Sequence, residues 1–288
     1  MTPTDKLHIH HEKLIGTIRD LAERTKSDSA EASLLITFSS EYLLAHAEAE
    51  EVTLYKADSD TEFVDNMVHE HRKIKEALEA ISTAYSKGDS AGIVSEMNSF
   101  MALLETHFEE EENTLMPKLS KMIAQQELES LIVEAHQIES EKKRSDIWSL
   151  FEHDHKRIDF NISPLRKSSA GSDAAGTIYS KVRGQLLKHI ELEESVLFPS
   201  FVQHASPGQT GPVQVMIAEH REITALLIAA GDSKDAASLG STVDALVGKL
   251  ATHNKKEELI LYPLIDRTLP AAERQMIFKE CFDGFASV

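Results

Sequence analysis

Four stretches of this chain place a histidine four and five residues ahead of two glutamates and eight ahead of a leucine. They are "HAEAEEVTL" at 46–54, "HFEEEENTL" at 107–115, "HIELEESVL" at 189–197 and "HNKKEELIL" at 253–261. Residues four apart share a helix face, so His46 projects with Glu50, His107 with Glu111, His189 with Glu193 and His253 with Glu257. The glutamates at the fifth position, Glu51, Glu112, Glu194 and Glu258, lie about 140° away around the helix and fall outside that set. Leu43, Leu104, Leu186 and Leu250 precede the four histidines by three residues, and Leu54, Leu115, Leu197 and Leu261 follow by eight. A stripe that is leucine at both ends and His and Glu between them faces a core, where an uncompensated carboxylate is costly. A cation must meet it. Chance would put glutamate at both positions behind a given histidine only about 1% of the time, and the pattern occurs in four of the 14 histidines.

A second kind of histidine completes the set. His11, His71, His155 and His220 each lead an apolar stripe at helical spacing, as in Leu14, Ile18 and Leu21 behind His11 or Ile158, Ile162 and Leu165 behind His155. Each alone reads as a partly buried structural histidine. Together with the His/Glu pairs they give the order His, His-x3-Glu, His, His-x3-Glu twice along the chain. In an up-and-down bundle such groups converge on one layer, with four imidazoles and two carboxylates. Imidazole suits iron, zinc or copper, a carboxylate can bridge two ions, and an all-helical N/O set without thiolate favours a dinuclear non-haem iron centre over structural zinc. Manganese loading stays open on ligand type alone. His8 and Glu152 stand three residues before His11 and His155 and are the candidates for an extra ligand in each half. Like His8, the remaining histidines, His10, His69, His136, His153 and His204, are not repeated at aligned positions in the other half, and most of the six read as surface residues.

The elements that must carry these residues are helices. Gly and Pro cluster at 85–92, 166–176, 204–212 and 229–236, and between these breaks apolar residues recur at three and four. The nearest strand-like run, "SLLITFSS" at 33–40, continues into a helical pattern. The expected fold is all-α, two tandem antiparallel four-helix bundles at 1–143 and 144–288, each with a short extra C-terminal helix. The charged stretch at 139–146 divides them, and Pro164 should kink or end the first helix of the second half.

Composition narrows the partners. The formal charge of −18 argues against nucleic acid or anionic lipid. Residues 1–143 carry 14 basic and 29 acidic side chains and the remainder 16 and 19, an excess that reads as solvated surface. The single cysteine, Cys281, excludes an intramolecular disulfide and a Cys-based metal site. No apolar run is long enough to span a bilayer and the N-terminus has no hydrophobic signal segment, so no membrane association and a cytoplasmic location are expected.

On His11, His46, Glu50, His71, His107 and Glu111, and on His155, His189, Glu193, His220, His253 and Glu257, the sequence resembles the hemerythrin-like (HHE cation-binding) proteins, as two domains covering nearly the whole chain. The resemblance implies an oxo- or hydroxo-bridged diiron site in each domain, spanned by the two carboxylates. It also implies a protein that binds dioxygen or a related ligand such as nitric oxide for storage or sensing, with a diiron oxidase, peroxidase or nitric-oxide-processing enzyme as the alternative. Oxygen-carrying members have a fifth histidine one turn after the third-helix ligand, where this sequence has Lys75 and Thr224. Relatives that repair iron–sulfur clusters carry a further cysteine-bearing segment with no counterpart in these residues.

Overall fold

The computed structural model describes residues 3–166, 168 and 172–288. The chain divides into two compact units, Met1–Arg144 and Ser145–Val288. The first contains α1 (Pro3–Ser27), α2 (32–57), α3 (Thr61–Ser86), α4 (90–122) and α5 (Gln125–Lys142). The second contains α6 (Ile147–Leu165), α7 (173–204), α8 (Gly211–Gly231), α9 (236–268) and α10 (Ala271–Ala286). No strand occurs among the described residues.

Each unit is a four-helix bundle. α1 packs on α2 and α4, and α3 packs on the same two from the opposite side; α6, α7, α8 and α9 repeat the arrangement. The fifth helix, shorter than the other four, docks on the first and second helices of its unit, α5 on α1 and α2, α10 on α6 and α7. Short polar turns start the helices: Asp60 accepts the Phe63 amide, Asp89 that of Gly92, and Asp235 forms a reciprocal cap with Ser238. Pro164 acts as a stop, since α6 ends one residue beyond it. The predicted break at 166–176 lies partly outside the described residues.

The leucine stripes are buried at all eight positions, from Leu43 to Leu261. They sandwich a polar layer. In the second unit Ile158, Ile162, Val182, Leu186, Ile223, Leu227, Val243 and Leu250 form the apolar floor under that layer. In the first, Leu54, Met67, Leu115, Leu119, Leu128 and Ile132 pack on its other side.

The sequence pattern did not disclose a local departure from α geometry behind each glutamate. Glu111–Leu115, Glu193–Leu197 and Glu257–Leu261 are π-helical turns. Two residues after each comes Pro117, Pro199 or Pro263, whose ring would strike the carbonyl four residues back in a regular helix; a turn one residue longer relieves the clash. The first repeat has Lys56 in place of that proline, and its helix breaks instead at Thr53, with φ −122° and ψ −85°. In all four cases both the glutamate and the leucine four residues on face inward, 0–1% exposed.

Candidate metal centres

The twelve residues singled out by spacing form two buried polar layers, one per unit. In the first, ligand-type atoms of His11, His46, Glu50 and Glu111 lie within 4.8 Å of one another, and so do those of Glu50, His71, His107 and Glu111. Glu50 and Glu111 belong to both groups. In the second unit Glu193, His220, His253 and Glu257 form one group and His155, His189 and Glu257 another, with Glu193 Oε2 3.5 Å from His189 Nε2. All twelve are buried.

The imidazoles all point the same nitrogen inward. His46 Nε2 lies 3.2 Å and His11 Nε2 3.5 Å from Glu50, and His107 Nε2 lies 3.5 Å from Glu111. Across the second layer His220 Nε2 sits 3.1 Å from Glu193, His253 Nε2 3.1 Å and His155 Nε2 3.4 Å from Glu257. The other nitrogen of each ring faces a carboxylate outside the layer. The fifth-position glutamates supply four of these: Glu51 to His71 at 2.9 Å, Glu112 to His11 at 3.2 Å, Glu194 to His220 at 2.7 Å and Glu258 to His155 at 2.8 Å. The acid immediately preceding a first- or third-helix histidine supplies three more. Glu70 reaches His107 at 2.9 Å, Asp154 His189 at 2.9 Å and Glu219 His253 at 3.1 Å. The eighth, Glu139 on α5, stands 3.6 Å from His46 Nδ1. A carboxylate on Nδ1 fixes the proton there and leaves the Nε2 lone pair aimed at the layer, which is how a metal-ligating histidine is held.

These residues fit a metal. His11, His46, His107 and His220 Nε2 have no hydrogen-bond partner though buried, and neither do both oxygens of Glu50 and Glu257, Glu111 Oε2 and Glu193 Oε2. Such a concentration of unmet acceptors is expensive unless a cation satisfies it. Protons are the substitute. Burial lowers the His46 imidazole, but the charge of Glu50 outweighs it and pushes the group up to about 10; the same opposition carries His107 and His155 to about 10 and His220 to about 11. Burial raises the Glu50 and Glu257 carboxyls, yet their histidines drive both well below the ordinary carboxylate range.

Two tyrosines also reach the layers and went unread in the sequence. Tyr55 donates to Glu111 Oε1 at 2.5 Å with its hydroxyl 3.2 Å from His71 Nε2, and Tyr262 donates to Glu193 Oε1 at 2.7 Å. Each stands nine residues after a motif histidine, where the other two repeats have Met116 and Phe198. Burial, then the nearby carboxylates, raises both phenols well above their ordinary value, so the hydroxyls stay protonated.

His8 and Glu152 do not join the layers. His8 is half exposed and contacts Glu112 at 2.9 Å, and Glu152 pairs with Lys156 at 2.8 Å. Of the histidines expected at the surface, His69 and His204 are exposed, whereas His10, His136 and His153 are partly buried.

No helix among the described residues is long and apolar enough to cross a membrane. No curated protein and no solved structure matches the chain. The family model of the hemerythrin HHE cation binding domain matches residues 2–119 and again residues 146–273. Each match spans a bundle with a full set of converging histidines and glutamates, and the chain therefore belongs to the hemerythrin HHE cation-binding family, with that domain present twice.

Proposed function

We propose that each unit holds a dinuclear non-haem iron centre that binds dioxygen, or a related diatomic such as nitric oxide, for storage or sensing. In the first unit His11, His46, His71 and His107 supply nitrogen and Glu50 and Glu111 bridge. In the second His155, His189, His220 and His253 do so with Glu193 and Glu257. Iron, when bound, supplies an open coordination position and an accessible one-electron couple. The chain supplies the rest: outer carboxylates that orient each imidazole, leucine layers that exclude water, and a tyrosine hydroxyl that holds a proton against one bridging carboxylate.

The observation that carries the diatomic reading is the space beside the second centre; in the first unit His11 lines an open cleft of about 320 Å³. The cavity beside the second centre is about 10 Å³, lined by His155, His189, His253 and Asn254 together with Ile158, Leu186, Ile190, Ile223 and Leu250. That is room for about one water-sized molecule, and an organic substrate does not enter it. A cleft of about 770 Å³ elsewhere in the unit is lined by Ser172, Tyr179 and Leu239 and includes none of the six ligands.

The tyrosines favour a second reading, an oxidase, peroxidase or nitric-oxide-processing enzyme, because a buried proton donor beside a redox centre also serves turnover. Anaerobically reduced, iron-loaded protein mixed with dioxygen in a stopped-flow spectrometer separates the two. A stoichiometric adduct that reverses on removal of oxygen supports binding, whereas repeated oxygen consumption with a reductant makes the protein an enzyme. Absence of any iron-dependent spectral change would overturn both.

A further inference from the structure

The helix-one position before the ligand histidine breaks the rule that the other three repeats obey. Glu70, Asp154 and Glu219 each precede such a histidine and bond another ring at 2.9–3.1 Å. In the first unit this position is His10, and the acid comes from α5, as Glu139. The result is a second set of ligand-type atoms outside the dinuclear layer. His10 Nε2 lies 3.0 Å from Glu139 Oε2, and one such atom from each of His10, His46 and Glu139 falls within 4.8 Å of the others. A further imidazole, His136, stands one turn before Glu139 on α5, its ring 4.9 Å from that of His10. Its Nε2 is buried and has no hydrogen-bond partner. Lys143 takes Glu139 Oε1 at 2.9 Å, which leaves Oε2 facing the two histidines.

Orientation of His46 alone does not explain this cluster. Glu139 stands 3.6 Å from His46 Nδ1, longer than any of the seven other outer contacts, and His136 contributes nothing to that task. The second unit shows what the place looks like without extra ligands. Counting from the starts of α5 and α10, His136 corresponds to Phe282 and Glu139 to Phe285, and His10 corresponds to Asp154. Phe285 stacks on His189 at 5.7 Å, and Asp154 bonds the same ring directly. Apolar packing and one acid suffice there.

We propose that His10, His136 and Glu139 form a third metal site, present only in the first unit, that takes one divalent ion of the zinc type against the outer face of His46. Two imidazoles and a carboxylate, with a fourth position left for water, match the donor set and open tetrahedron of such an ion. Burial and the neighbouring His10 hold His136 below its ordinary value, so its ring is neutral and its lone pair free. His10 and His136 are partly exposed, which gives the ion a path from solvent that the dinuclear layers lack.

The test uses the full chain with its iron loaded and oxidised, so that the dinuclear positions resist exchange, and cobalt(II) as the spectroscopic probe. The wild type should take up one cobalt ion per chain, with ligand-field bands of a four- or five-coordinate site. The half-buried His136→Gln variant, and His10→Gln beside it, should weaken that uptake by roughly tenfold or more while iron content stays at the wild-type level. No cobalt uptake beyond iron, or uptake unchanged in both variants, overturns the site. Loss of iron together with cobalt in both variants overturns it too, since the site is separable from the dinuclear one. Retained iron also shows that the variant has folded.

Discussion

Glu257 and Glu258 are neighbours in sequence with different work, and exchanging each for glutamine separates them. Glu257 is fully buried and lies 3.1 Å from His253, 3.4 Å from His155 and 3.8 Å from His220, so it belongs to both groups of ligand-type residues in the second unit. Glu258 is partly exposed and meets His155 through Nδ1 at 2.8 Å. Removing the charge from the first leaves buried cations without a bridging anion, a loss on the order of 3–5 kcal/mol, or at least a hundredfold in affinity. Removing it from the second frees the tautomer and ring orientation of one ligand, a loss of about ten- to a hundredfold in affinity. Metal content per chain and competition against a graded chelator read both, with the first unit as internal reference because its residues are untouched. Glu257→Gln should halve the bound metal. Glu258→Gln should leave content unchanged at saturating metal and shift the competition curve. Equal losses in the two variants, or a larger loss in Glu258→Gln, would show that the helix register assigned to the layer is wrong.

Further outcomes follow from the same geometry. His107→Ala should empty the first centre and spare the second, because each unit holds a complete set; loss of all metal would defeat the two-centre reading. Tyr55→Phe should lower the stability of the first unit by about 1–3 kcal/mol, the worth of a hydrogen bond to a charged group, and leave the second unit's melting unchanged. Chelation should lower the melting temperature, since metal at a thousand times its dissociation constant contributes about 4 kcal/mol; coincident melting with and without metal would refute binding to the folded state. The metal-free protein should be most stable near pH 4.5–6.5. The raised His46, His107, His155 and His220 give stability that is complete below their ordinary 6.5 and lost as pH climbs through about 10, and the lowered Glu50 and Glu257 give stability present above their ordinary 4.5 and lost as pH falls. A melting maximum well above pH 7 would reverse that sign.

The helical layer was legible because one periodicity carried both the core and the chemistry: the leucines that bury each helix fix which glutamate of a pair goes inside. The outer contacts were less legible because they cross between helices. "EH" at 70–71, "DH" at 154–155 and "EH" at 219–220 stand in plain view, yet each acid serves the histidine of a different helix, a pairing that only the packing decides. Glu139 was harder still, being on the fifth helix with no motif around it. The π-helical turns had a signal in the proline ten residues after the histidine, and the tyrosines had one in the position before it. His8 and Glu152, which helical spacing left open as extra ligands, pair instead with Glu112 and Lys156.

Duplication preserved the interior and let the surroundings diverge, and the divergence bears on how each centre holds charge. In the second unit the acid on His189 is itself fixed: Arg157, fully buried, places Nε 3.1 Å from Asp154 Oδ1 and donates to the Phe285 carbonyl at 2.9 Å. That carboxylate is ion-paired and buried, so its position against His189 is fixed. The first unit has exposed Lys13 at the place of Arg157 and shares Glu139 among His10, His46 and Lys143. Its outer charge is therefore divided among three groups, of which His10 and Lys143 reach solvent. Outer partners tune ligand basicity and the properties of a bound metal, and two interiors with the same six-residue plan differ in that surrounding charge, the second through a locked ion pair and the first through a cluster partly open to water.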